Sequence, residues 1–182
     1  MRRSLSAIAM TALAVGSPAC NKEEAPAPPQ AAASPAAPAL GTLVSLADLR
    51  ASVPEFRGWT RGEIVAQEAT APERSTHVTV IFTRGSEKLE LEVADTGGAP
   101  RAIESLENIA GSGTNRTVGN GYFKGTTVGS FPAVESWNTV EKLGELSVLI
   151  RRRYIIHVTG SGLRDAQPMR ALAELVDTSR LR

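Results

Sequence analysis

The sequence predicts an α+β domain, an antiparallel β-sheet built from hairpins with two to three helices packed against it. Two observations carry that reading and a third sets aside its main rival. Residues 76–83 and 89–93 alternate apolar and polar side chains on either side of a short polar turn, and residues 145–150 and 154–159 do the same around Arg151-Arg152-Arg153. Residues 100–110 and 166–176 instead bring apolar side chains round at helical spacing. No strand–helix–strand rhythm is sustained and no internal repeat occurs, which argues against a doubly wound parallel sheet.

The elements follow in order. Residues 45–53 (SLADLRASV) read as a short helix, with Ser45 as N-cap and Pro54 as its stop. Residues 63–68 form a strand. In 76–83 (THVTVIFT) Val78, Val80 and Phe82 share a face. After a loop at Arg84-Gly85-Ser86-Glu87, Leu89, Leu91 and Val93 alternate with Glu90 and Glu92. That is a hairpin with one buried and one wetted face. In 100–110 (PRAIESLENIA), Pro100 suits the first turn, Ile103, Leu106 and Ile109 or Ala110 share a side, and Gly111 ends the helix. A glycine-rich loop leads to strands at 122–128 and 133–138, and then to the hairpin of 145–150 and 154–159. The last helix, 166–176, is capped by Asp165 and turns Met169, Leu172 and Leu175 or Val176 inward.

Composition confines this domain to residues 41–182, a length that suits one core. The chain carries a formal net charge of +1; setting aside Arg2, Arg3, Lys22, Glu23 and Glu24 leaves 17 residues of each sign. A neutral domain lacks the basic footprint that phosphate backbones require, so nucleic acid is excluded as a partner. With a single cysteine the fold has no internal disulfide and stands on packing.

The first forty residues read differently. Met1-Arg2-Arg3 is a basic start, 4–16 (SLSAIAMTALAVG) is apolar and uncharged, and Ser17-Pro18-Ala19 supplies small residues before Cys20. Residues 1–19 thus have the tripartite layout of a secretory signal, too short for a comfortable membrane span. Ending at Cys20, the segment resembles the signal of bacterial lipoproteins, although Ser17 stands where that family prefers leucine. The resemblance implies that Cys20 is lipidated and becomes the first mature residue. It also implies a membrane partner through the anchor, and Asn21 after the cysteine implies the outer membrane, facing the periplasm, over the inner one. Ordinary cleavage after Ala19, leaving Cys20 a free thiol, remains the alternative. Residues 21–40 are almost wholly Ala, Pro and polar side chains, the composition of a disordered, stiffened tether. The element order of 41–182 resembles the PsbP-like sheet-and-helix domains found in some bacterial lipoproteins.

No motif names a reaction. Asp95-Thr96-Gly97 resembles the catalytic loop of aspartic proteases, but one chain has one such loop and would need a homodimer to pair its carboxylates; the plain reading is a turn. The glycines at 111–121 fit neither phosphate-loop pattern and mark a connection. His77 and His157 lie in strands without the cluster a metal requires, so no metal or cofactor is expected, and G-x-S-x-G is absent. Arg151, Arg152 and Arg153 are the one concentrated charge: either a solvated turn or a contact for an anion or an envelope protein or polymer. Trp59, Tyr122, Phe123, Phe131 and Trp137 serve as core anchors or line a pocket. Three functions follow: a non-enzymatic binding module on an envelope lipoprotein, a small-molecule or lipid carrier with a pocket between sheet and helix, and, more remotely, a dimeric protease through Asp95.

Overall fold

In the computed structural model, which describes residues 42–70 and 74–182, the alternating segments pair into one antiparallel sheet of nine strands. They are β1 (Thr60–Arg61), β2 (Val65–Ala69), β3 (Ser75–Arg84), β4 (Glu87–Asp95), β5 (Asn115–Val118), β6 (Gly121–Val128), β7 (Phe131–Asn138), β8 (Leu143–Ile150) and β9 (Tyr154–Ser161). Their order in space is β1-β3-β4-β9-β8-β7-β6-β5, with β2 also paired to β3. Helices α1 (Leu46–Ser52), α2 (Pro100–Gly111) and α3 (Gln167–Leu175) flank the sheet, which makes the molecule the α+β domain that the alternation predicts.

Side-chain period sorts the two faces. Val78, Val80 and Phe82 of β3, Leu89, Leu91 and Val93 of β4, Ile156 and Val158 of β9, and Leu146 and Val148 of β8 all point to one side and are essentially dry. Leu49 of α1 and Met169 and Leu172 of α3 close that side into the main core. The helix sits low because two glycines make room. Gly144 and Gly160 face each other across β8 and β9, and a Cβ on either would come within 2.6 Å of Met169 or Leu163 side-chain atoms.

The opposite face is covered over only part of its width. Ile103 and Leu106 of α2 meet Leu149, with Val134 and, at the start of β9, Ile155 alongside; α2 lies mainly over β6, β7 and β8. The rest of β9 on this face, residues 88–92 of β4 and the far ends of β6, β7 and β8 carry no helix.

Ser45 caps α1 as expected, its hydroxyl accepting from the Asp48 amide. Asp165 Oδ1 accepts from the Gln167 amide at the start of α3. At the end of α3, Val176 is the inward residue of the two offered, and Leu175 is half exposed. Three details differ from the sequence reading. The 63–68 strand lies at Val65–Ala69, with β1 before it. Gly111 is the last helical residue of α2, with Ser112 as C-cap. Most consequential, part of the glycine-rich loop is strand β5, joined to β6 by a Gly119-Asn120 turn; all four of its residues are exposed, so no alternation marked it.

Candidate functional site

Asp95 ends β4 with its carboxylate fully buried. Oδ1 accepts from Arg153 Nε at 2.8 Å and from the Gly97 amide at 2.9 Å; Oδ2 accepts from Arg153 Nη2 at 2.7 Å and from the Val44 amide at 2.8 Å. Burial pushes the Asp95 pKa up, but the Arg153 guanidinium and the two amides outweigh it and hold the carboxyl below its ordinary range. Arg153 Nη2 also donates to Thr42 O, and Thr96 Oγ1 donates to Arg153 O. The Asp95-Thr96-Gly97 motif is therefore a turn whose aspartate also clasps the start of the domain to the β8–β9 turn.

The other two arginines of that turn diverge. Arg151 donates to Leu181 O near the C-terminus, and Arg152, its side chain 71% exposed, pairs with Glu107 of α2 at 3.1 Å. The three guanidinium groups are spent on three internal partners and do not converge on one point.

His77 and His157 are separated by β4: His77 stands opposite Ala94, and His157 opposite Glu92. No group of three metal-ligating side chains forms among the described residues. The sequence reading missed that Ser147 lies beside His157 in register, Oγ to Nδ1 2.9 Å, giving a row Ser147–His157–Glu92 across three strands. Among the described residues His157 and Glu92 make no ion pair, so the row is a cross-strand hydrogen bond beside a carboxylate.

A second missed group is Glu135, fully buried on the core face of β7. Tyr122 Oη donates to its Oε1, Lys124 Nζ lies 3.2 Å from the same oxygen, and Arg170 of α3 forms an ion pair with Oε2 without an aligned hydrogen bond. Burial raises the Glu135 pKa, and Arg170, Tyr122 and Lys124 together bring it below normal; burial and then Glu135 push the Tyr122 phenol well up. With three partners around one carboxylate, this cluster fastens α3 to β6 and β7. Its signal lay in the inward phase of Ala133, Glu135 and Trp137.

The open face carries a trough of about 510 Å³. It crosses six strands, from Lys88 of β4 through Thr159 of β9, Glu145 of β8, Ser136 of β7 and Phe123 of β6 to Val118 of β5. Register explains why these residues meet. Glu90, Thr159, Glu145, Ser136, Phe123 and Arg116 form one cross-strand row; Lys88, Ser161, Leu143, Asn138, Gly121 and Val118 form the next. No helix residue lines the trough. The β7–β8 loop forms one wall, held by Asn138 Oδ1, which accepts from the Val140 and Glu141 amides, and by the Thr139 amide donating to Asn120 O. Of the predicted aromatics, only Phe123 turns its side chain to the open face and the trough; Trp137 is buried in the core, and Trp59, Tyr122 and Phe131 pack against it, so Tyr122 and Trp137 border the trough from the core side of β6 and β7. No described helix is long and apolar enough to cross a membrane. Cys20, the signal and the tether lie outside the described residues. Comparison with protein-family models, with curated proteins and with solved structures found no match to this chain.

Proposed function

We propose that the chain is an exported envelope lipoprotein, anchored through Cys20, whose domain is a non-enzymatic binding module that engages its partner in the trough. One observation carries the reading. The trough opens at the end of the sheet opposite the Asp95 clasp, where the chain enters the domain at Thr42. Eight residues of β8 separate the two ends, a distance of about 23 Å at ~3.3 Å per residue. A partner seated in the trough would therefore leave the clasped end of the domain untouched. Under this reading the anchor is in the outer membrane and faces the periplasm, as Asn21 implies.

Two observations count against the rival readings. The space between sheet and α3 is filled by Met169, Leu163 and Leu172, which leaves a carrier no enclosed chamber there. Both Asp95 oxygens already accept two hydrogen bonds, so the shared proton of a protease dyad has no free site.

The test uses the full chain in its cell of origin. Cys20→Ser is expected to move the protein from the membrane to the soluble fraction. Leu143→Asp, in the trough, is expected to abolish the partner adduct formed by in-cell chemical cross-linking, with the melting temperature retained. Leu175→Asp, on the exposed end of α3, is expected to keep the adduct. An adduct that survives Leu143→Asp overturns the reading.

A further inference from the structure

The trough has a chemical bias that narrows its occupant. Its floor and rim are largely apolar: besides Phe123 they include Leu143, 45% exposed, and Val118, 59% exposed, with Val140 next to the lining residue Glu141 at 68%. Half of the six exposed large hydrophobic residues described gather here, more than scattered surface residues require. Among them, in the same two rows, lie Ser136, Thr159 and Ser161, hydroxyl groups suited to main-chain amides of a ligand.

Charge supplies the second constraint. Lys88, the one cation among the lining residues, is held by Glu90 at 3.1 Å. Glu141 and Glu145 line the trough and have no cation within ion-pair distance among the described residues. Arg116 is stacked on Phe123 at the β5 edge, and Lys142 and Arg164 line a separate hollow beside the β3–β4 turn. The trough is thus an apolar floor with two uncompensated carboxylates. Such a surface favours an occupant that brings its own positive charge.

Length gives the third. Six strands have five spacings of ~4.8 Å, a trough about 24 Å long, which accommodates about seven extended residues. We infer that the trough takes an extended segment of a partner protein that carries lysine or arginine among apolar residues, its cations at Glu141 and Glu145 and its apolar side chains on Phe123, Leu143 and Val118. This rests on the reading of the domain as a binding module and names the ligand class of the same site. The wall formed by the pinned β7–β8 loop is ordered in advance, which lowers the entropy lost on docking.

The test titrates the full chain with three blocked heptapeptides that alternate leucine with lysine, with glutamine or with glutamate. The lysine peptide is expected to bind about tenfold more tightly than the glutamine peptide at low salt, and the glutamate peptide weakest. Glu141→Gln with Glu145→Gln should bring the lysine peptide down to the glutamine level. Arg152→Ser, at the far end of the sheet, should change nothing. Equal binding of the lysine and glutamine peptides, or a lysine peptide indifferent to the double substitution, overturns the charge assignment. So does a failure of every peptide to bind. In each case loss of the in-cell adduct by Leu143→Asp separately keeps the binding module standing, and its survival removes both.

Discussion

Asp95 carries more of the architecture than its three-residue motif announces. Four hydrogen bonds reach it from Val44, Gly97 and Arg153, so it joins three segments distant in sequence. Replacing it by Asn would leave Arg153 short of its counter-charge, and is expected to cost about 3 kcal/mol in denaturant unfolding, the low end for a buried pair because Arg153 keeps some water access. Asp95 and Glu135 also set the acid response. Both have pKa values lowered on folding, so the unfolded chain binds more protons through the carboxylate range. Their contribution is complete above the unfolded values, near pH 4 to 4.5, and is lost as pH falls through the lower folded values. Stability should therefore decline below about pH 4.5, and the decline should be shallower in Asp95→Asn; an unchanged acid limb would deny the clasp this role. The turn at Asp95 was legible because aspartate and glycine serve backbone geometry wherever they meet after a strand. Its second function was not, since nothing local says that Val44 and Arg153 arrive beside it.

At the scale of elements, helix α3 depends on a glycine pair. Gly160→Val would force its side chain into Leu163 Cδ1 and Met169 Sδ, and thermal unfolding is expected to fall by about 2 kcal/mol or more as α3 lifts. Met169→Ala in the same chain should recover part of that loss, because it removes the clashing atoms. A destabilisation that Met169→Ala deepens would mean that the glycines serve strand geometry rather than helix approach. The hairpins and helices were readable because burial imposes a period on their residues: Val78, Val80 and Phe82 can alternate only against a dry face. Strand β5 has no dry face, and only its pairing with β6 makes it a strand. Phe123 was recognised as an aromatic of interest, but its place in a trough depends on which strands stand beside β6.

Over the whole molecule, strand order decides where the site lies. The chain folds β3 against β4 and β8 against β9 as neighbours in sequence, but brings β9 beside β4 across more than fifty residues. That non-local pairing joins two hairpin systems into one broad sheet, and α2 is too short to cover its second face. The open trough results from this mismatch between a wide sheet and a twelve-residue helix. Glu145 and Thr159 were visible in the sequence as the outward phase of their strands, whereas Val118 of β5 and Glu141 of the β7–β8 loop carried no strand signal. Their convergence was not, because register between distant strands is fixed only by the assembled core. The same geometry explains why the arginine turn, the strongest charge signal in the sequence, is not where the open surface lies. It stands at the clasped end, occupied by Asp95, Glu107 and the backbone carbonyl of Leu181.

The most direct test of the trough as the binding surface is a map of photo-cross-linking in intact cells. A photo-reactive side chain would be placed singly at Val118, Leu143 and Thr159 within the trough, and at Val65, Ile81 and Leu175 outside it. The account predicts one adduct of constant mass from the three trough positions and none from the other three. Adducts of equal yield from all six positions, or from Val65 and Leu175 alone, would contradict it.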